Sequence, residues 1–372
     1  MSAREHPALP VLVLGGSGYV AGELLRLLAL HPVFRVAAVT SGSRAGERLD
    51  DAFPQLAGTP LGELRFDGGL AIERLFAEQP EVAVFSALPH GEAATRLGSL
   101  LDLAASAGVA ARVVDLSADF RHRDPAAFEA LYGRPHGAPG RLAEFVCALP
   151  EHVAAGSTPP RHVAHPGCFT TAVALALAPL VAGGWIESRV TAVAVTGSTG
   201  AGRNPTATTH HPERRSDLFA YAAAGHRHEP EMRLLLAALA PDGGAPEILF
   251  VPHSGPFARG IHATLHARLA RPASAEELRA ALASFYERAA VQANGASGSS
   301  FVRVLAAPPR LQSVVGTNRC DLGLALRGEE LVLFSAIDNL TKGAAGGGVQ
   351  WMNRLFGLAD ATGLVLPGLG WL

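Results

Sequence analysis

The segment VLVLGGSGYVAGELLRLLALHP, residues 11–32, decides the fold class of this 372-residue chain. Its first four residues are apolar, as in a buried strand of a parallel sheet, and glycines at 15, 16 and 18 follow at once. Leucines then recur through 23–30, which predicts a helix that ends at His31-Pro32. With a second strand predicted over 36–40, the segment forms a strand–glycine loop–helix–strand unit, the beginning of a doubly wound dinucleotide-binding fold.

The pattern of the chain changes near residue 165. Before it strands and helices alternate, which predicts a Rossmann-type dinucleotide-binding domain over 1–165 in an α/β protein. After it, residues 261–269 alternate between apolar and polar side chains, as in a half-buried strand of an antiparallel sheet, so an α+β domain is predicted to follow. The other predicted elements are strands over 82–88, 113–116, 190–195 and 331–334 and helices over 92–107, 169–181 and 344–355.

Composition excludes several classes of protein. The 31 basic and 33 acidic residues leave a net charge of −2, without the positive charge of a nucleic-acid binder. No apolar run reaches the roughly 18–20 residues of a membrane span, and the N-terminal apolar run ends in glycines rather than in a signal-peptide cleavage site. Cys147, Cys168 and Cys320 are widely spaced, which argues against a disulfide framework and for a cytoplasmic protein. Lys342 is the only lysine, so Schiff-base chemistry would have to use it.

The glycine loop at Gly15-Gly16-Ser17-Gly18 is a candidate pyrophosphate site, because glycines admit the phosphates to the backbone N–H groups of a helix N-terminus. The alternative is a plain tight turn. After the second strand, an enzyme that uses NADH usually carries an acidic residue. Here Ser41, Ser43 and Arg44 stand instead, which favours the 2′-phosphate of NADPH unless Arg44 is only a solvated loop residue.

Cys168 lies in the turn His165-Pro166-Gly167-Cys168, immediately before the predicted helix over 169–181. The positive end of a helix dipole favours a thiolate, the nucleophilic form of cysteine. A packing role is the alternative for Cys168, and it is the preferred interpretation of Cys147 and Cys320.

The run GHRHEPE, residues 225–231, supplies candidate partners for a nucleophilic cysteine. We expect a histidine of this run to act as acid or base, oriented by Glu231. A metal site would need further ligands, and His210-His211 is the only other obvious pair, so no metal is predicted; a solvated run is the remaining alternative. The loop TGSTGAGR, residues 196–203, could cradle a phosphate or an oxyanion, although such loops are also common turns.

These motifs occur in an order that resembles the N-acetyl-γ-glutamyl-phosphate reductase family of arginine biosynthesis, from Val11 to about Pro367. The wider relatives are aspartate-semialdehyde dehydrogenases and the glyceraldehyde-phosphate-dehydrogenase-like group. The matching segments are GGSGYVAGELLRLLALHP (15–32), ALPHG (87–91), DLSADFR (115–121), HPGCFTTAVALAL (165–177), TGSTGAGR (196–203), GHRHEPEM (225–232), PFARGIHATL (256–265) and AIDNLTKGAAGGGVQWMN (336–353).

The resemblance implies an oxidoreductase that uses NADPH to reduce N-acetyl-γ-glutamyl phosphate, through a thioester on Cys168, to N-acetylglutamate 5-semialdehyde and phosphate. It also implies a glyceraldehyde-phosphate-dehydrogenase-like fold, with a catalytic and oligomerisation domain over 166–338 that has a mixed or antiparallel sheet. A C-terminal segment, 339–372, would then return to the dinucleotide-binding domain. A homodimer or homotetramer is expected, with an acyl phosphate as the small-molecule partner and neither nucleic acid nor membrane.

The resemblance also assigns roles to residues. The catalytic set is Cys168, His226, His228 and Glu231, and which histidine is the acid/base stays open. The cofactor set is Gly15, Ser17, Gly18, Tyr19, Ser41, Ser43, Arg44, Leu88, Pro89, Gly200, Asn339 and Lys342. The substrate set, as anchors for the phosphate or carboxylate, is Ser117, Arg121, Arg203 and Arg259.

Three alternatives follow from departures and from the wider group. The chain has His165 where the family usually has asparagine, and residues 209–214 are nearer to a branch that reduces aminoadipate or glutamate phosphate linked to an acidic carrier protein. Such a partner needs a basic patch, for which Arg214 and Arg215 are candidates. The other two alternatives are an aspartate-semialdehyde dehydrogenase and a catalytically dead dinucleotide-sensing module. The cysteine, histidines and glutamate argue against the dead module.

Overall fold

The computed structural model describes residues 8–153, 159–241, 243–294 and 301–370. The strands are β1 (Leu9–Leu14), β2 (Phe34–Val39), β3 (Glu81–Ser86), β4 (Ala110–Asp115), β5 (Phe145–Cys147), β6 (His162–Ala164), β7 (Ile186–Thr196), β8 (Phe219–Ala220), β9 (Glu247–Ser254), β10 (Ile261–Leu269), β11 (Val302–Val304), β12 (Cys320–Arg327) and β13 (Glu330–Ile337). The helices are α1 (Tyr19–Ala29), α2 (Leu49–Ala52), α3 (Leu70–Glu78), α4 (Ala93–Ser106), α5 (Pro125–Tyr132), α6 (Cys168–Ala182), α7 (His211–Arg214), α8 (Glu229–Ala237), α9 (Ala275–Asn294) and α10 (Gly346–Leu355).

The first sheet has the order β2-β1-β3-β4-β6-β5, and all its pairings are parallel. Apolar side chains of α1 and α10 pack on one face, and those of α4 pack on the other. Burial on both faces explains why β1 is a continuous apolar run rather than an alternating one. Because the strands are parallel, the loops after β1, β2 and β3 meet at one edge of the sheet.

The second sheet is mixed, with the order β11-β12-β13-β10-β7-β9-β8. The alternating strand β10 is antiparallel to both β13 and β7, as the sequence predicted, and its apolar residues are buried. Side chains of α6, α8 and α9 join this face in one hydrophobic core. Helix α6 is buried on all sides, which accounts for its almost uniformly apolar sequence.

After β13 the chain returns to the first sheet. A turn of π-helix, Thr341–Ala345, leads into α10, where the sequence predicted one regular helix over 344–355. Val349 and Met352 share a core with Val11 and Val114 of the parallel sheet. The π-turn lies against α1 and α6 at once, so it borders both halves of the chain. In the part of the chain described, no helix combines the length and apolarity that crossing a bilayer requires.

Candidate active site

A cleft of about 1300 Å³ runs from the loop after β1 to the N-terminus of α6. It brings together most of the residues predicted for the cofactor: Gly15, Ser17, Gly18, Tyr19, Ser41, Ser43, Arg44, Leu88, Pro89, Gly200 and Asn339. Of the predicted catalytic and substrate residues, Cys168, His228, Arg121 and Arg203 line it. The cleft lining does not include the other predicted residues, which are His226, Glu231, Ser117, Arg259 and Lys342.

The glycine loop has the form that a bound pyrophosphate needs. Gly15 has a φ of +74°, and a Cβ there would lie 2.7 Å from the backbone nitrogen of Leu88. Gly18 is the N-cap of α1, no side chain caps the helix, and the space around a Cβ at Gly18 is open to 4 Å. The free N–H groups of the first turn of α1 and the open space above them fit the phosphates of a dinucleotide.

The loop after β2 lines the same cleft. The hydroxyls of Ser41 and Ser43 lie 3.4 Å apart, and Arg44 forms an ion pair with Glu47 at 2.9 Å. Both members of that pair are partly exposed, so the guanidinium can exchange the carboxylate for another anion at small cost.

Cys168 is the first residue of α6, which begins one residue earlier than the helix predicted over 169–181, and it is partly exposed in the cleft. Burial raises the pKa of its thiol; Arg121, the backbone N–H of Phe169 and Arg227 act in the opposite direction without overcoming it. The prediction of a resting thiolate is therefore wrong, because loss of hydration outweighs the helix terminus. The free protein holds Cys168 as a thiol, and the cysteine requires a base.

His228 is the histidine that faces the cleft. Its ring lies on Gly167, where an added Cβ would come within 2.4 Å of Nε2, so this turn requires glycine. Burial lowers the pKa of His228 well below its usual value, which leaves a neutral imidazole beside the thiol. His226 lies behind it, and its Nδ1 accepts the backbone N–H of His228 at 3.1 Å. His228 is therefore the histidine that lines the cleft, and His226 supports its backbone.

Glu231 holds the cysteine turn rather than a histidine ring. Its buried carboxylate accepts hydrogen bonds from Arg121 at 3.0 Å, from the backbone N–H of Gly167 at 2.9 Å and from the hydroxyl of Thr170 at 3.0 Å. Burial alone would raise the pKa of Glu231, but Arg121, His228 and the Gly167 N–H lower it to about 2. The expected orientation of a histidine by hydrogen bonding to Glu231 is corrected: the carboxylate acts on His228 through charge alone.

The predicted anion anchors are tied up within the protein. The guanidinium of Arg121 binds Glu231 and the carbonyls of His165 and Leu116, and that of Arg203 donates to the carbonyls of Ser17 and Ala52.

Two of the predicted anchors lie away from the cleft. Ser117 donates its hydroxyl to Asp115 at 2.7 Å, and Arg259 pairs with Glu23 and Asp338. The structure gives no support to an anchoring role for Ser117 and Arg259, because buried carboxylates nearby already take their donors.

Lys342 also leaves the cleft. Its side chain is fully buried, and Nζ donates to Glu151 at 2.5 Å and to Gln350 at 2.8 Å. The ammonium is thus bound to Glu151 and Gln350 and lies outside the cleft lining, which gives no support to the predicted cofactor contact of Lys342. Its neighbour Gly343 lines the cleft instead, and a Cβ there would lie 2.7 Å from the Cβ of Cys168.

Arg227 is a cleft residue that the sequence analysis passed over. It is exposed and lies between the two histidines in the chain, and its field acts on Cys168, His228 and His90. Among the described residues, none forms a hydrogen bond or an ion pair with its guanidinium. Arg227 lies inside the run 225–231, between the two histidines predicted as catalytic residues.

Of the two arginines predicted to form a basic patch for an acidic carrier protein, Arg214 is not available at the surface. Arg214 is buried, donates to the carbonyl of Asp217 at 3.1 Å and lies over the ring of Phe219. Within the described ranges, no group of three or more histidine, cysteine or acidic side chains is placed to hold a metal ion.

Known families match nearly all of the chain. The model for the semialdehyde dehydrogenase NAD binding domain matches residues 10–155, and the model for the semialdehyde dehydrogenase dimerisation domain matches residues 168–339. An N-acetyl-gamma-glutamyl-phosphate reductase of Alkalilimnicola ehrlichii is 40% identical over 366 residues, which cover 97% of this chain and 99% of the relative. A reductase of the same name from Dehalococcoides mccartyi is 39% identical over 354 residues, or 95% of this chain and 96% of the relative.

Solved structures share the fold at low sequence identity. Aspartate semialdehyde dehydrogenase II from Vibrio cholerae aligns with a TM-score of 0.64 at 16% identity, over 94% of this chain and 98% of that one. The aspartate semialdehyde dehydrogenase of Francisella tularensis aligns with a TM-score of 0.61 at 15% identity, over 94% of this chain and 100% of that one. The predicted combination of a dinucleotide-binding domain and a second domain with a mixed sheet is confirmed.

Proposed function

The chain belongs to the N-acetyl-gamma-glutamyl-phosphate reductase family, and we propose that it reduces N-acetyl-γ-glutamyl phosphate to N-acetylglutamate 5-semialdehyde and phosphate in arginine biosynthesis. The observation that carries the proposal is the single cleft that joins the glycine cradle after β1 to Cys168 and His228. A cofactor in the cradle and a substrate on the cysteine would then share one cleft. The aspartate-semialdehyde dehydrogenase alternative is supported by the fold alone, at 16% identity or below in the two structures compared.

The first half of the reaction forms a thioester. His228, neutral in the free protein, takes the proton of the Cys168 thiol as the sulfur attacks the γ-carbonyl carbon. The uncapped N–H groups at the start of α6 stabilise the oxyanion, a role in which one lost donor typically costs about 10²–10³ in rate. The C–O bond to phosphate then breaks, and His228 passes the proton to the leaving phosphate oxygen.

The second half of the reaction reduces that thioester. NADPH, when bound, supplies a hydride to the thioester carbon. The C–S bond breaks to release the aldehyde and leaves Cys168 as a thiolate. His228 relays a proton from solvent to the sulfur, which restores the resting thiol. Glu231 keeps the Gly167–Cys168 turn in place throughout through its bond to the Gly167 N–H.

The preference for NADPH over NADH rests on the loop after β2. Ser41 and Ser43 offer hydroxyls, and Arg44 offers a guanidinium whose present partner, Glu47, is partly exposed. These groups suit a 2′-phosphate. We also propose domain boundaries after residues 165 and 338. The last strand of the first sheet ends at Ala164, and the last strand of the second ends at Ile337.

We also propose that the protein forms a homodimer or homotetramer and acts in the cytoplasm. The outer face of the second sheet carries apolar side chains that the described part of the chain covers incompletely: Val193, Val195, Leu249, Val251 and Phe334. Leu249 alone is 48% exposed. A second copy of the chain packed on this face would remove the apolar surface from water.

The test uses the reverse reaction, with N-acetylglutamate semialdehyde, phosphate and NADP⁺. We expect turnover by the wild-type protein and none above background by Cys168→Ser, with Cys320→Ser as the matched control in a buried strand. Aspartate semialdehyde should be a poor substrate, and NAD⁺ should be less effective than NADP⁺. Near wild-type turnover by Cys168→Ser would overturn the mechanism, and preferential use of aspartate semialdehyde would overturn the substrate.

A further inference from the structure

Two arginines that line the cleft, Arg96 and Arg227, have no side-chain hydrogen bond or ion pair among the described residues, and of these it is the charge of Arg227 that acts on the Cys168 thiol. Arg227 is exposed there beside Cys168 and His228, and it has neither an ion pair nor a hydrogen bond among the described residues. Two other arginines of the cleft have partners within the protein: Arg121 pairs with Glu231, and Arg203 donates to the carbonyls of Ser17 and Ala52. The guanidinium of Arg227, which has no such partner and whose charge acts on Cys168, is therefore available to an anionic ligand.

The other polar groups around Cys168 carry no positive charge. Burial lowers the pKa of His90 and of His165 to about 3 and that of His226 to about 4, and it lowers the pKa of His228 well below its usual value. Four neutral histidines surround the cysteine, while the charge of Arg121 is balanced by Glu231. Of the two arginines whose charge acts on Cys168, Arg121 and Arg227, only Arg227 is left to balance a dianionic group brought to the cysteine.

We propose that Arg227 binds the phosphoryl group of the acyl-phosphate substrate and the phosphate that it releases. The inference rests on the proposed function, in which the phosphoryl group is attached to the carbon that Cys168 attacks. That group therefore lies at the reacting centre, with the carboxylate of the substrate several bonds away. A planar guanidinium offers two parallel N–H donors to two phosphoryl oxygens, which both orients the leaving group and stabilises the charge it gains.

The position of Arg227 in the chain supports the assignment. It lies directly before His228, the group that hands a proton to the leaving phosphate. His226 on its other side holds the backbone of His228 through the 3.1 Å hydrogen bond to the His228 N–H. One short segment thus places a phosphate-binding cation and the proton carrier beside the same oxygen atoms.

The test compares Arg227→Met, which keeps the length of the side chain, with Arg227→Lys and with Arg233→Met as the matched control. Arg233 is an exposed arginine on α8, outside the cleft lining. In the reverse reaction, we expect Arg227→Met to raise the KM for phosphate by about tenfold or more, while the KM for the semialdehyde changes less than about twofold. Arg227→Lys should recover part of the loss, and Arg233→Met should match the wild type.

A second measurement does not depend on turnover. Phosphate should protect Cys168 from alkylation by iodoacetamide, with Cys320 as the buried internal reference in the mass spectrum. The phosphate concentration for half-protection should rise about tenfold in Arg227→Met. Unchanged protection, or a raised KM for the semialdehyde instead of phosphate, would overturn the proposal. Absence of wild-type turnover with intact protection would overturn the proposed function and leave the phosphate site standing.

Discussion

The ionisation state of Cys168 is decided mainly by burial, which outweighs the positive charges of Arg121 and Arg227. The thiol has a raised pKa because of burial, and the imidazole of His228 has a lowered one for the same reason. A thiol and a neutral imidazole therefore rest side by side, in contrast to a preformed thiolate–imidazolium pair. The proton moves only when the substrate arrives, which protects the cysteine from adventitious alkylation and oxidation.

We predict that alkylation of Cys168 by iodoacetamide, measured without substrate, accelerates steadily with pH between about 6 and 9, because the reactive thiolate is a minor form below the raised pKa. His228→Asn should lower kcat by about 10²–10⁴, the usual contribution of a positioned acid or base. His226→Asn removes only a supporting ring and should lower kcat by a smaller factor than His228→Asn. A rate of alkylation that is already maximal at neutral pH would contradict this account.

Glu231 joins the buried charge of Arg121 to the backbone of the cysteine turn. We predict that Glu231→Gln lowers the free energy of unfolding by about 3–5 kcal/mol, because Arg121 is left buried without its counter-charge. Glu229→Gln, on the same helix and partly exposed, is the control. Denaturant unfolding at pH 7 measures the difference.

The stabilising effect of Glu231 should depend on pH in a defined direction. The carboxyl group has a pKa of about 2 in the fold and about 4.5 without it, so its contribution is complete above about pH 4.5 and is lost as the pH falls towards 2. The stability gap between the wild type and Glu231→Gln should narrow over that interval. A gap that stays constant from pH 7 to pH 3 would show that the carboxylate charge is unimportant.

At the scale of elements, the ease of prediction follows the length and regularity of each pattern. Helix α6 and strand β10 were predicted within one or two residues, because one is apolar throughout and the other alternates over nine residues. Strands β5 and β6 have three residues each, too few to show a period, and they were missed. The π-turn was also missed, because Thr341–Ala345 has the composition of an ordinary helix and its width is set by contact with α1 and α6.

The π-turn places a glycine directly on the nucleophile. We predict that Gly343→Ala lowers kcat and costs about 1–3 kcal/mol of stability, because the new Cβ would lie 2.7 Å from the Cβ of Cys168 and one of the two elements must move. Gly140→Ala is the control, since a Cβ there has open space to 4 Å and the backbone has no positive φ. Wild-type turnover by Gly343→Ala would show that the contact has no role in positioning the cysteine.

At the scale of the whole molecule, the sequence predicted which residues share a cleft with the cysteine but not how charges pair. The cleft residues follow from motifs at strand and helix ends, so eleven of the twelve predicted cofactor residues line one cleft. Ion pairs between distant segments leave no local pattern. Arg259 joins Glu23 of α1 across 236 residues, and Lys342 joins Glu151 across 191. For that reason the sequence did not show that the side chains of Arg259, Ser117 and Lys342 bind carboxylates within the protein.

The pairing of Lys342 with Glu151 attaches the C-terminal segment to the dinucleotide-binding half of the molecule. Burial alone would raise the pKa of Glu151, but Lys342 and Gln350 lower it to about 2, so the carboxylate is charged at neutral pH and depends on its partner. Arg354, on the same helix α10, adds an ion pair to Asp360 and a bond to the Pro150 carbonyl. The helix that follows the active-site turn is thereby fixed to the segment that follows β5.

We therefore predict that Lys342→Met destabilises the protein by about 3–5 kcal/mol, because Glu151 is left buried and unpaired, while the affinity for NADPH is unchanged. The stability of Lys342→Arg should lie between those of the wild type and Lys342→Met, since a planar guanidinium does not fit the space of an ammonium packed over Phe301. The double variant Lys342→Met/Glu151→Gln removes both charges and should recover much of the stability, as expected when the cost lies in the unpaired carboxylate rather than in lost packing. Thermal unfolding and NADPH titration of the four proteins separate these effects. A loss of NADPH affinity with stability intact would instead place the lone lysine at the cofactor.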